Sequence, residues 1–233
     1  MFRSRCRSLG IALLLLLLLV VVACGGRPLL PTGDNAPAAA GEVIDSSEPY
    51  SDAFVPGQTG NWLFEQDGNG STAIVNEQLV VTLVSPNTIQ YATLGDRTFD
   101  DFVLEVETWQ RAGAPESSFG VLFRVQEDKQ FYRFDITGNG LFMVERRHAD
   151  GTWTRLVPDW TPTSALNQGL NVANRLKIIA AGPTLTFYAN DVLLTQVVDD
   201  TLAAGGIALD AGTFGGGDLQ VSFDNLTITP GTP

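Results

Sequence analysis

The 233-residue sequence holds two cysteines, one histidine and two methionines, and no stretch of it carries a long amphipathic helical pattern. Each scarcity excludes something. A single imidazole, His148, cannot build a metal site of several histidines. A nucleophile–histidine–acid triad would have to use this same residue, which sits beside the Ala149-Asp150-Gly151 turn and reads as an exposed hairpin residue. No glycine-rich phosphate loop opens a helix: Gly215-Gly216-Gly217 leads into another strand and reads as a surface loop. Positive charge is also short, with 14 Lys and Arg against 26 Asp and Glu and a formal net charge of −12. Nucleic acid is therefore an unsuitable partner, because affinity for phosphate rests on clustered Lys and Arg that release counterions.

What is present begins with the segment MFRSRCRSLGIALLLLLLLVVVACGG, in which Arg3, Arg5 and Arg7 precede an apolar run from Leu9 to Ala23. A cationic head, an apolar body and small residues at the end make a secretory signal, residues 1–23. The run is 15 residues long, short of the roughly 20 needed to span a bilayer. It stops at Val21-Val22-Ala23-Cys24, which resembles the lipobox of bacterial lipoproteins. That resemblance implies cleavage before Cys24, acylation of its thiol and anchoring in the bacterial cell envelope, each buried methylene contributing about 0.8 kcal/mol of membrane affinity. Cleavage removes three arginines and leaves 11 basic against 26 acidic side chains, a formal charge of −15. It also removes Cys6, so with Cys24 acylated no disulfide can form.

Residues 24–49, rich in Pro, Gly, Ala and Ser, read as the lipidated cysteine and a flexible tether. Residues 50–229 read as one domain, with 230–233 a tail. The domain pattern is strand after strand: DFVLEVETW, SFGVLFRV, QFYRFDI, LFMVERRH, NRLKIIAA, TLTFYA, GGIALDAG and others, about a dozen in all. Gly138-Asn139-Gly140, Asp150-Gly151 and Asn190-Asp191 supply the positive-φ residues of tight hairpins, so consecutive strands pair antiparallel. The segment TSALNQGLNVAN, interrupted by Gly169, allows at most a turn of helix. The expected fold is all-β, a two-sheet antiparallel jelly-roll sandwich.

Asn174, Phe187-Tyr188, Asn190, Gly206-Ile207, Leu209 and Phe223-Asp224-Asn225, with the run FGVLFRVQEDKQFYRFDI, carry a family resemblance. They resemble the closing strands of concanavalin A-like (LamG-like) jelly rolls, including the 3-keto-disaccharide hydrolase family, DUF1080. The usual hairpin glycine is Asp191 here. The resemblance spans Asp52 to Ile228 and implies the fold more strongly than an activity, because this fold hosts lectins, hydrolases and adhesion modules. It also implies a structural calcium where the last strand meets the first, held by Asp224 and Asp52. Asp67-Gly-Asn69-Gly-Ser71 imitates the start of a calcium loop, but its twelfth position is Gln78, so it reads as a turn.

Strand parity assigns faces. It sets Glu105, Glu107 and Trp109 opposite Phe102, Leu104 and Val106. It likewise sets Arg124 opposite Phe119, Val121, Phe123 and Val125, and Arg133 and Asp135 opposite Tyr132, Phe134 and Ile136. Glu145 and Arg147 oppose Val144. If these four strands are neighbours, they make one polar-aromatic face, read either as a carbohydrate-binding groove or as a solvated sheet coat. Trp160, in the Pro-flanked loop PDWTPTS, is expected to be exposed and to join that face, and Trp62 to pack inside. Glu105 and Glu107 are spaced like a glycosidase pair, about 7 Å apart. Jelly-roll glucanases, however, carry a third acid that E-V-E-T-W-Q lacks. The leading expectation is a surface lipoprotein with a non-catalytic glycan-binding module. The alternatives are a glycoside or 3-keto-disaccharide hydrolase and a structural or adhesive protein with a protein partner.

Overall fold

The computed structural model describes residues 47–231; the signal segment, Cys24, the tether up to residue 46 and residues 232–233 lie outside the described residues. Strands β1 to β8 are Tyr50–Asp52, Trp62–Leu63, Gly70–Val75, Gln78–Leu83, Ile89–Phe99, Phe102–Ala112, Ser118–Val125 and Phe131–Thr137. Strands β9 to β16 are Leu141–Arg147, Trp153–Arg155, Thr161–Pro162, Asn174–Ala181, Thr184–Ala189, Val192–Val198, Gly205–Gly212 and Leu219–Pro230. Among the described residues there is no helix, and TSALNQGLNVAN forms turns.

The strands form two sheets, all pairs antiparallel. Sheet A runs β14-β13-β12-β6-β16-β4-β3, with β1 paired to β16. Sheet B runs β10-β9-β8-β7-β15-β5-β2, with β11 paired to β9. This is the expected jelly-roll sandwich, finer in its strand count. Sheet A lends the core Leu104, Val106, Ile178, Phe187 and Phe223; sheet B lends Phe119, Val121, Phe123, Phe134 and Leu209. Phe187 bridges the layers, its ring 5.0 Å from Phe134 and 6.0 Å from Phe123. A buried aromatic side chain contributes about 1.5–3 kcal/mol through surface removed from water. Trp62 packs inside against Phe54, as its size implies.

The hairpin residues Asn190 and Asp191 both take positive φ, 49° and 67°. The motif asparagines have a physical role. Asn190 accepts the backbone N–H of Arg175 and donates its amide to Asn174 Oδ1, while Asn174 donates to Asn167 O. Two side chains thus tie the β13–β14 hairpin to β12 and to the loop before it.

Two expectations fail. The polar face was to span four neighbouring strands, but β6 lies in sheet A and β7, β8 and β9 in sheet B. The chain changes layers across Gly113, whose φ is 98°, through Pro115. Glu107 and Trp109 therefore lie on the opposite side of the sandwich from Arg133. Arg124 also leaves the face. In the pairing with β15, Ile207 faces Phe123 and Gly206 faces Val125, so Arg124 is the extra residue of a β-bulge. It has φ 51° and is fully buried. Its guanidinium donates to Asp100 O at 2.9 Å, Gly182 O at 3.0 Å and Leu202 O at 2.8 Å, clasping three connections at one end of the sandwich. Gly205 is required opposite, since a Cβ there would meet the Arg124 carbonyl carbon at 2.4 Å. The bulge also turns Val125 outward, onto Leu122, Phe131 and Ala208.

Each buried acceptor left without a donor costs about 1–3 kcal/mol. Arg124→Ala, which strands one buried and two part-buried acceptors, is expected to lose about 3–5 kcal/mol of stability in urea denaturation, in the range for breaking a buried charged network. A loss below about 1 kcal/mol, the size of a single ordinary hydrogen bond, would contradict the clasp.

Candidate functional site

The outer face of sheet B carries rows of side chains set by register. One row reads Thr93, Ala208, Leu122, Arg133, Glu145 and Arg155 across β5, β15, β7, β8, β9 and β10. The next reads Tyr91, Asp210, Gly120, Asp135 and Met143. On the other side of the first row, Phe131 faces Arg147, and Arg147 faces Trp153. The face of an exposed sheet should be wet, yet its centre is buried: side-chain exposure is 4% for Arg133, 2% for Asp135 and 0% for Asp210.

These three groups converge because β7 offers no side chain between them. Asp135 and Asp210 both pair with Gly120 from opposite sides. A Cβ on Gly120 would lie 2.8 Å from Asp135 Oδ1, and one on Gly212 would lie 3.1 Å from Arg133 Nη2. Into that space Arg133 sends its guanidinium. Its Nε donates to Asp210 Oδ2 at 3.0 Å and its Nη2 to Ser118 Oγ at 3.0 Å. Glu145 Oε1 is 3.5 Å from Nη1. Asp135 Oδ2 is 2.5 Å from Nη2 but off the line of its N–H bonds, so this is an ion pair without an aligned hydrogen bond.

Three carboxyl groups around one guanidinium leave an excess of negative charge in a place with little water. Burial pushes the Asp135 carboxyl well above its ordinary range, Arg133 opposing and Asp210 adding to the rise. Burial likewise raises Asp210 and Glu145. The electrostatics are resolved if Asp135 keeps its proton and hydrogen-bonds to Asp210, which is ion-paired with Arg133. Neither oxygen of Asp135 reaches solvent. The groups that do reach it form the mouth: Glu145 at 16%, Trp153 at 37% and half-buried Tyr91 and Arg147. Trp153 lies over the Arg133 guanidinium, 6.0 Å from its carbon, and packs edge-on to Phe131. Arg147 donates to Lys129 O and is felt by the Tyr91 phenol.

Of the residues expected to bind carbohydrate, Arg133, Asp135, Glu145 and Arg147 are brought together here. Glu107 and Trp109 are not, and neither is Arg124. Glu107 accepts from Asn225 Nδ2 at 2.9 Å, and its neighbour Glu105 pairs with Lys177 at 2.5 Å. Trp160 is half-buried rather than exposed, packed on the core and edge-on to Phe214. Trp153 takes the exposed aromatic position. Parity along GGIALDAG places Asp210 opposite Leu209, a signal that could have found it.

The implied calcium does not fit its residues. Asp52 is 4% exposed and already accepts from Tyr50 Oη, the backbone N–H of Phe54 and of Gly60, and Trp62 Nε1. Asp224 lies half-exposed in register with Glu107 on the outer face of sheet A. Among the described residues no group of three or more His, Cys, Asp or Glu is arranged to hold a metal.

A family model described as a 3-keto-alpha-glucoside-1,2-lyase-like domain matches residues 52–229. The chain belongs to that family. No curated protein matches the chain. Among solved structures, the carbohydrate-binding module CBM66 from Bacillus subtilis is similar at 20% identity and TM-score 0.58, covering 72% of this chain and 95% of that one. A protein of unknown function with a galectin-like fold from Bacillus subtilis has 10% identity and TM-score 0.57, covering 77% and 94%. The GlcNAcα1-4Gal-releasing endo-β-galactosidase from Clostridium perfringens has 11% identity and TM-score 0.56, covering 77% and 61%. At these identities the likenesses establish a shared fold.

The raised carboxyl groups fix the sign of a pH effect. An acid whose folded pKa is raised adds stability that is complete below its unfolded value, about 4, and is lost as pH rises through the folded value. The stability of the native chain relative to Asp135→Asn, which stays neutral throughout, is therefore expected to fall from about pH 4 toward neutrality. Melting temperatures of the two proteins across that range measure it; parallel profiles would mean that Asp135 carries no retained proton.

Proposed function

We propose that this domain is a glycan-binding module that holds sugar at the mouth on the outer face of sheet B and does no chemistry there. One observation carries the reading: the acids at the base are sealed, while an indole, a phenol, a guanidinium and a carboxylate open above them. Sugars are bound by this combination, an aromatic face for the C–H surface and fixed polar groups for the hydroxyls. The Arg133–Asp210–Asp135 cluster then acts through the groups above it, fixing Glu145 from below while Arg133 underlies Trp153. The CBM66 likeness supports the same reading.

A second reading is favoured by Glu145, the one carboxyl of the cluster that reaches the surface and one whose pKa burial raises. Such a group suits proton abstraction beside a carbonyl, the chemistry implied by the family's lyase description. Incubation of the protein with a 3-keto-α-glucoside decides between them. Turnover that Glu145→Gln abolishes would establish the second reading and overturn the first.

For binding, affinity electrophoresis in gels of soluble polysaccharides is the direct assay. Trp153→Ala and Arg147→Ala are each expected to weaken retardation at least tenfold, about 1.4 kcal/mol or more. Retardation unchanged in both would remove the mouth as the site. We further propose that the domain works from the envelope surface, held by acyl chains on Cys24. Cys24→Ser is expected to move the protein from the membrane fraction to the soluble one.

A further inference from the structure

The outer face of sheet A carries a groove of about 510 Å³ across β3, β4 and β16, closed at one side by the end of β6. It arises because the strands there present short side chains. Ser71, Thr82 and Ser222 bring hydroxyls to the lining, and Ala73 and Val80 place small apolar side chains among them. Gln78 and Asn171 rise at the rim beside Arg111.

Arg111 is built into place. Its Nε donates to Ser222 Oγ at 2.8 Å, Nη1 to Asn171 Oδ1 at 3.4 Å and Nη2 to Gln78 Oε1 at 3.0 Å. Its plane lies over the indole of Trp109, 4.9 Å from the ring centroid. A guanidinium has five N–H bonds, so three are spent and one each on Nη1 and Nη2 remains for a ligand. These three hydrogen bonds and the indole fix the guanidinium in the lining of the groove.

We infer that this groove is a second binding site, on the opposite side of the sandwich from the mouth, for an uncharged glycan chain. The lining selects that class. It contains no carboxylate, so nothing there holds a cation or an amine. It has one guanidinium on a chain of net charge −12, which disfavours a polyanion. Its apolar side chains are small and interleaved with hydroxyls and amides, so it offers no continuous strip for a lipid or an apolar helix. What matches is a ligand with many neutral hydroxyls, which can donate to the amide oxygens and accept from Arg111, with its C–H surface on the small apolar side chains between them. The volume falls within the range of about 300–1,000 Å³ usual for small-ligand sites. This inference stands apart from the mouth on sheet B: either site can fail while the other holds.

The test is an NMR titration of the full-length chain in detergent, with neutral oligosaccharides of the β-glucan, xylan, dextran and fructan types and with polygalacturonate as the anionic probe. At least one neutral probe is expected to shift the amides of Ser71, Thr82 and Ser222 together. Arg111→Ala should weaken that binding at least tenfold. Because removing Arg111 also frees Gln78 and Asn171, Ala73→Trp serves as the second variant: it fills the groove from an exposed position and should block the same shifts. Both variants should leave shifts around Trp153 untouched, whereas Trp153→Ala should leave the groove untouched. No shift at the three floor amides with any neutral probe, or shifts with polygalacturonate alone, would overturn the proposal.

Discussion

Phe187 wedged between Phe134 and Phe123 joins the two sheets, and this contact commits one face of every long strand to a shared apolar layer. The rest of the molecule is organised by that commitment. With a period of two, whatever a strand does not give to the layer it must show on an outer face, so a sandwich has two independent surfaces written in alternate residues of the same strands. Here the two surfaces differ. That of sheet A carries Glu105 with Lys177 and Arg175, and also a groove that holds no carboxylate and a single guanidinium. That of sheet B sinks a guanidinium and two aspartic acids below an aromatic rim.

Burying those groups is costly. Ions taken from water lose several kcal/mol each, and replacing a buried charge cluster with apolar residues is often neutral or stabilising. Leu122, Phe131 and Ala208 on the same face show that this sheet accepts apolar side chains there. The cluster is therefore better understood as scaffolding for what sits above it than as a source of stability. Arg133 pairs with Glu145 and underlies Trp153, and both side chains thereby gain a fixed direction at little loss of freedom on binding. A protonated Asp135 makes the arrangement electrically tolerable.

The strands, their hairpins and their inward residues were legible because each follows from a local rule: alternation, the positive-φ pair Asn190 and Asp191, and apolar or aromatic residues at alternate positions. The grouping of four strands into one polar face was not. Alternation tells which residues share a side of a strand, but it is silent about which layer a strand joins, and β6 is separated from β7 only by a short crossing. Arg124 was misassigned for a different reason. A bulge adds one residue to the count, shifts parity for everything beyond it, and is announced in sequence only by a glycine on the partner strand, Gly205, 81 positions further along the chain. Asp52 was misread because a carboxylate that binds metal and one that gathers backbone N–H groups are the same residue until its neighbours are known.

Gly120 and Gly212 make the recess on sheet B as surely as the charged residues do, since a methyl group at either would meet Asp135 or Arg133. The site is thus encoded partly by missing atoms. Within the family, its fingerprint would not be an acidic motif on one strand but a joint state of four scattered positions, glycine at 120 with Arg at 133 and Asp at 135 and 210. A relative with the acids but a larger residue at 120 has the letters of the site without the space for it, and would carry a different surface on the same fold.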